Sequence, residues 1–338
     1  MNGAEALVHT LADSGIEICF GNPGTSEMHV VAALDREPRL RGVLCLFEGV
    51  VAGAADGYAR MAGKPAATLL HLGPGFANAI SFLHNARKAR QPVVNIVGDH
   101  ATSHAKYVQA PLTSDIMAIC GSVSDWVHHC RGVAEVGGDG ARVVQAAMTV
   151  PGQIATLVLP ADAAWSEGAG PAPRLPVAAA KTVEPAVIEQ VAAALKNGKR
   201  SALLLRGRCL ERAGMEAAGR IATKTGARLL HDYFTPRMTR GEGLPEAERI
   251  PYFSEQIVEV LKGLEQIVLV GAPAPVTFFA YPDKPSWVTP EGCDLLTLAE
   301  PQDDSVGALQ ALAEALGARA PGRLVQRIVP ALPAGGAL

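Results

Sequence analysis

Leu46-Phe-Glu-Gly-Val-Val-Ala-Gly-Ala-Ala-Asp-Gly-Tyr-Ala-Arg60 continues an apolar run that begins Gly42-Val-Leu-Cys. Such a run reads as a buried strand, and the carboxylate of Glu48 falls at its exit. Ala52, Gly53, Ala54, Ala55 and Gly57 leave the following helix almost bare of side chains, so a second surface can approach it closely. Two readings of Glu48 follow. It can cap the helix through exposed N–H groups, or it can be a catalytic carboxylate buried at an interface.

Around that stretch, helical and strand patterns alternate. A helix with Ala4, Leu7, Val8 and Leu11 on one face ends at Gly15, and Ile16-Glu-Ile-Cys-Phe20 follows as a short strand. Then come a Gly-Asn-Pro-Gly turn (21–24), a helix over about 27–36, the strand before Glu48, and the small-residue helix. Further strands are expected at 66–71, 92–98 and 154–160. Helices are expected at 76–89 and 141–148, with Leu72-Gly-Pro-Gly75 as a loop. Short, uniformly apolar strands separated by helices imply a parallel sheet covered on both faces. Residues 166–184 are rich in Pro, Gly and Ala and read as a linker. A second unit of the same style spans 185–320, with strands at 201–207, 227–231, 266–271 and 294–299. Residues 321–338 read as another linker. The expected fold is α/β, with two doubly wound parallel-sheet domains at 1–165 and 185–320.

Composition narrows the function. The 338 residues are 49% hydrophobic and 19% charged, with 30 Lys+Arg against 33 Asp+Glu and a net charge of −3. No basic run is long enough to follow a phosphate backbone, so a nucleic-acid partner is not expected. No apolar run reaches membrane-spanning length, and the amino terminus lacks a signal core, so a membrane partner is not expected and a cytoplasmic setting is. Six cysteines without a CxxC pair suggest neither a disulfide framework nor a zinc site.

Three glycine-containing turns follow strands in the first half: Gly21–Glu27, His71–Asn78 and Gly98–His104. In doubly wound sheets, ligands bind beyond the carboxyl ends of the strands, where these turns and Glu48 would converge. A dinucleotide site is not supported. Gly73 and Gly75 begin a G-x-G, but the third position is Asn78 and no acid follows at the required distance. Gly138-Asp-Gly140 follows no apolar strand and reads as a surface turn.

Taken in order, Gly-Asn-Pro-Gly-Thr25, the 47–66 stretch, the Gly73-Pro-Gly75 turn with Asn78, and Pro92–Asp99 strongly resemble thiamine diphosphate-dependent enzymes of the acetolactate synthase and benzoylformate decarboxylase group. The resemblance covers about 3–165, the family's pyrimidine-binding domain, and continues less sharply through 185–320, its central domain. It implies that Glu48 hydrogen-bonds the aminopyrimidine ring of thiamine diphosphate and that the cofactor acts as electron sink for a small 2-oxo acid such as pyruvate. Leu46, Phe47, Val50 and Val51 would give Glu48 an apolar surrounding. The resemblance also implies that Asn22, Pro23, Gly24, Thr25, Gly75 and Asn78 line the cofactor. His71 matches an active-site histidine, with a strand-end histidine bonded to backbone as the alternative. His100 and His104 are candidates to reach substrate. The family's sites lie between subunits, so a homodimer or tetramer is expected.

The departures are informative. The family's third domain binds the diphosphate through Mg²⁺, with a Gly-Asp-Gly and a downstream Asn; that motif is missing, so the diphosphate-binding domain is expected to be absent and the chain inactive alone. No metal ligand is assigned within these residues, and Mg²⁺ is expected only through the missing domain. Acetolactate synthases bind FAD through a longer central domain, and nothing here clearly supplies that site, so FAD is not expected. Phe278 and Phe279 stand where benzoylformate decarboxylase has a second histidine. Two alternatives are a benzoylformate decarboxylase-like enzyme and a non-catalytic remnant that associates with a full-length relative.

Overall fold

The computed structural model of the chain describes residues 1–104, 107, 110–331 and 335–336. The chain forms two compact units, Met1–Ala179 and Ala180–Leu338.

The first unit runs α1 (Gly3–Asp13), β1 (Ile18–Asn22), α2 (Met28–Arg36), β2 (Arg41–Leu44), α3 (Glu48–Ala62), β3 (Ala66–Leu70), α4 (Leu72–Lys88) and β4 (Val93–Asp99). It continues with α5 (Ile116–Gly121), β5 (Trp126–His129), α6 (Val136–Met148), β6 (Ile154–Pro160) and α7 (Ala161–Trp165). The strands form one parallel sheet in the order β2-β1-β3-β4-β6-β5. Side chains alternate across a strand, and the cores record it. Leu69, Ile96 and Leu157 point into a core with Leu7, Val8 and Val143 of α1 and α6. Their neighbours Leu70, Val97 and Val158 point into the opposite core, with Val51, Phe76 and Leu83 of α3 and α4. The sheet is therefore covered on both faces. Within it, buried Thr68 donates to Asn95 (2.7 Å), and Asn95 donates to Thr156 (3.0 Å), so three neighbouring strands share a satisfied polar row.

Three expectations need correction. The apolar run before Glu48 is not a buried strand: β2 ends at Leu44 and is the edge strand, so Leu44 and Leu46 are 72% and 91% exposed. Leu72-Gly-Pro-Gly75 is not a loop but the first turn of α4, where an early proline costs no hydrogen bond. Gly138-Asp-Gly140 is not a surface turn. It lies in the first turns of α6, where a side chain at Gly140 would press on Leu7 Cδ1 at 2.8 Å and one at Gly137 would overlap the Gly170 carbonyl. Those glycines serve close packing. The stretch expected to be a linker begins against the first unit: Gly3 N–H donates to Ser166 O (3.2 Å), and Ala172 N–H to Thr10 Oγ1 (3.0 Å).

The second unit contains α8 (Pro185–Leu195), β7 (Ser201–Leu205), α9 (Arg212–Thr225), β8 (Arg228–His231), β9 (Glu248–Arg249), α10 (Ser254–Leu261), β10 (Gln266–Val270), β11 (Asp294–Ala299) and α11 (Ser305–Ala315). Its strands are also all parallel, in the order β11-β10-β7-β8-β9. Leu203 and Leu205 face one core while Ala202 and Leu204 face the other, so this sheet too is covered twice.

Candidate active site

The carboxyl ends of β1, β3 and β4 meet over one buried acid. β1 ends at Asn22, Pro23 and Gly24 turn the chain, and a short 3₁₀ turn over Thr25–Glu27 folds Glu27 back beneath them. Glu27 is 1% exposed. Its Oε2 accepts from Gly24 N–H (2.8 Å) and lies 2.8 Å from His71 Nδ1 at the end of β3. A carboxylate accepts, so the tautomer that completes this bond has its proton on Nδ1 and leaves Nε2 for other work. Two glycines make the arrangement possible. A Cβ at Gly24 would fall on the His71 ring, and one at Gly98, in β4, would overlap Glu27 Oε1. His71 is thus held by a carboxylate and not by backbone.

Glu48 opens α3. It is 8% exposed, and its Oε2 accepts from Asn78 Nδ2 at 3.0 Å. No side-chain cap bond forms at the start of this helix, so Glu48 is not a capping residue. A Cβ on Gly75 would stand 3.3 Å from Glu48 Oε1 and 3.4 Å from His71 Cβ. Gly75 therefore joins the two pairs, Glu48–Asn78 and Glu27–His71, into one continuous site. The His71–Leu72 junction bends sharply to reach it, with Leu72 at φ 52°, a left-handed value that leucine rarely takes.

The surroundings of Glu48 differ from the expected apolar shell. Val51 is buried, but Leu46, Phe47 and Val50 are 91%, 44% and 55% exposed in the chain by itself. The small residues of α3 are partly claimed within the chain: Ala52 and Ala55 join the core with Phe76 and Ala79, and a Cβ at Gly53 would touch Phe82 at 3.3 Å. Gly57 has open space. Asp56 and Arg60 form a two-bond fork at 2.8 Å each, so this part of the motif braces the helix.

Thr25 is exposed in its turn. His100 and His104 meet at a tilt beyond β4 with ring centroids 5.6 Å apart, and His100 Nε2 is buried without a hydrogen-bond partner among the described residues. No hydrogen bond among the described residues links either histidine to Glu48 or His71. A further pair went unanticipated: Asp99 Oδ2 lies 3.0 Å from His129 Nε2, and that hydrogen bond raises the His129 pKa against the effect of burial. Thr102 N–H and hydroxyl, past the end of β4, both donate to Asp162, past the end of neighbouring β6. Glu27 was also missed. Its signal was present as the acid three residues after Gly24, which looked like an ordinary first-turn carboxylate.

In the second unit, Phe278 and Phe279 meet edge to face with centroids 4.5 Å apart. They extend an aromatic cluster with Tyr233, Phe234 and Tyr252.

The family model for the thiamine pyrophosphate enzyme N-terminal TPP binding domain matches residues 1–119. The first unit resembles that family over those residues. Over both units the chain resembles thiamine diphosphate enzymes of the acetolactate synthase group. It is 52% identical over 314 residues to a Mycobacterium tuberculosis protein named as a candidate acetolactate synthase large subunit, IlvX, covering 93% of this chain and 60% of that one. The structure of a candidate thiamin diphosphate-dependent enzyme from Mycobacterium smegmatis superposes with a TM-score of 0.82 at 25% identity, covering 97% of this chain and 65% of that one. A Rhodococcus jostii thiamine diphosphate-dependent 4-hydroxybenzoylformate decarboxylase has the same fold, with a TM-score of 0.81 at 21% identity over 99% of this chain and 66% of that one. The chain thus spans about 60% of the length of its 52%-identical relative. Among the described residues, no helix of this chain is long and apolar enough to cross a membrane.

Proposed function

We propose that Glu48, Asn78 and Gly75 receive the aminopyrimidine of thiamine diphosphate in a cytoplasmic enzyme of acetolactate synthase type, acting on a small 2-oxo acid such as pyruvate. The observation that carries this reading is the Glu48 carboxylate, nearly buried, fixed at Oε2 by Asn78 and facing a glycine on the Oε1 side. A side chain at position 75 would fill that side; glycine leaves room for a flat ring. Thiamine diphosphate, when bound, supplies the electron sink for decarboxylating a 2-oxo acid. Glu48 holds a proton at a ring nitrogen, and Asn78 keeps its carboxylate in one plane. His71, oriented through Nδ1 by Glu27, takes or gives a proton at Nε2. Asn22, Pro23, Gly24 and Thr25 shape the floor of the same site, and His100 and His104 stand at its substrate edge.

No stretch of the 338 residues carries the Gly-Asp-Gly and asparagine that hold Mg²⁺ and the diphosphate. In this reading the anchor comes from residues outside them, and the 338 residues alone bind the cofactor weakly and do not turn over. Exposed Leu44, Leu46, Phe47 and Val50 beside Glu48 support a second copy covering the site.

The test uses the protein as its source cell produces it, with thiamine diphosphate and Mg²⁺, and follows CO₂ and acetolactate from pyruvate. Glu48→Gln should lower turnover by about 10²–10⁴-fold with an unchanged circular dichroism spectrum. Unchanged turnover would sink the proposal and leave the non-catalytic partner reading. The Glu27–His71 pair favours a second reading, a decarboxylase that protonates its product; an aldehyde in place of acetolactate would select it.

A further inference from the structure

We propose that His128, Glu135 and Asp139 form a binding site for one divalent transition-metal ion of the zinc type, separate from the thiamine diphosphate site. The three residues come from successive pieces of chain: His128 from β5, Glu135 from the turn before α6, and Asp139 from the first turn of α6. One donor atom of each lies within 4.8 Å of the others. β5 is the sheet edge opposite β2, five strand steps away. β4, the strand of the Glu27–His71–Glu48 site nearest to β5, is two steps away, roughly 10 Å at about 4.8 Å per step.

The hydrogen-bond pattern points to a ligand that is not a proton. Asp139 is completely buried, and its Oδ2 has no hydrogen-bond partner among the described residues. His128 Nε2 is buried and lies 3.2 Å from Asp139 Oδ1, yet makes no hydrogen bond of acceptable direction. Two donors bonded to one tetrahedral zinc at about 2.0–2.1 Å stand about 3.3 Å apart, because the metal and not a shared hydrogen sets the angle. The His128–Asp139 spacing matches, and the Glu135 donor, within 4.8 Å of both, would close in on binding. The Trp126 ring, 5.7 Å from that of His128, limits how the imidazole can turn.

The donor set is one imidazole and two carboxylates, which suits zinc or a neighbouring transition ion better than the all-oxygen shell of magnesium. Cys130 is adjacent: its thiol donates to the Gly132 carbonyl at 3.4 Å, and its side chain also lies against Asp139. Arg142 now contacts Asp139 Oδ1 and is half exposed. It acts as a resident cation that can swing into solvent when a metal enters. A bound ion would tie the exit of an edge strand to the helix that returns behind it.

The probe is Co²⁺, followed by its visible absorption, with Zn²⁺ as competitor, on the protein as produced. The expected result is one equivalent of Co²⁺ giving the intense bands of low coordination, displaced by Zn²⁺. His128→Gln and Glu135→Gln are both at partly or fully exposed residues, and each should weaken binding by at least the ~10–100-fold that outer-shell partners cost. Arg142→Gln should tighten it, and Glu48→Gln should leave it unchanged. Circular dichroism separates lost ligands from lost fold. The proposal is overturned if the native protein shows only the spectrum of aqueous Co²⁺, including the case in which Arg142→Gln alone binds. It is also overturned if binding survives in both His128→Gln and Glu135→Gln.

Discussion

Two parallel sheets in one chain carry opposite chemistry at their carboxyl ends. In the first unit, acids meet histidines: Glu27 with His71, Asp99 with His129, and Glu48 held by Asn78. In the second, the same positions hold an arginine–aspartate pair, Arg206 with Asp232 at 2.9 Å, beside clustered aromatics. Topology and double coverage are alike, so the architecture is not what separates them. It supplies a row of loop positions, and the residues placed there decide whether protons can be moved.

The contrast can be broken by overfilling one sheet at a time. Gly98→Ala would drive a methyl into buried Glu27 and should cost the first unit about 1–3 kcal/mol or more, lowering its melting transition while the second unit's stays in place. Gly214→Ala, against the Cys209 backbone, should do the reverse. Calorimetry of both variants decides, and a shift of both transitions in either variant would contradict independent cores. Next in size is Glu27→Gln, which leaves one oxygen to accept from Gly24 N–H and His71 but removes the charge that strengthens both bonds, and should cost about 1–3 kcal/mol by denaturant titration. Equal stability would mean the buried carboxylate adds nothing beyond its shape.

The smallest effect sharpens the comparison through pH. His129 titrates above the usual histidine range because of its hydrogen bond to Asp99. Its contribution to stability is fully present below the unfolded pKa of about 6.5 and is lost as pH rises through the folded value. Asp99→Asn should move the His129 NMR titration to lower pH and flatten the melting temperature across that window. An unmoved titration would refute the pairing.

Much of this was legible from residues. Glu48 stands out in the sequence at the head of the small-residue stretch, and the family resemblance names His71, Gly75 and Asn78 beside it; the structure brings the four together. Glu27 was not legible: what makes it important is that Gly98 vacates space for its carboxylate while Gly24, 74 positions away in sequence, vacates space for the His71 ring it holds. β5 escaped because Trp126-Val-His-His129 is half-buried at an edge and shows no apolar run. Gly138-Asp-Gly140 misled because glycine signals both turns and tight packing, and only the neighbour, Leu7 of α1, distinguishes them.

Leu72 has a consequence for how such a chain can change over generations. Its left-handed backbone costs about 1–2 kcal/mol, which glycine would recover. Yet its side chain is 1% exposed in the core beneath α4, and trimming a buried leucine costs about 2–5 kcal/mol. Relaxing the bend is therefore a downhill step in conformation and an uphill one in packing, with the second larger. Single substitutions are trapped on either side. Packing beneath α4 thus holds the bend, and with it the direction His71 faces, independently of the hydrogen bond to Glu27.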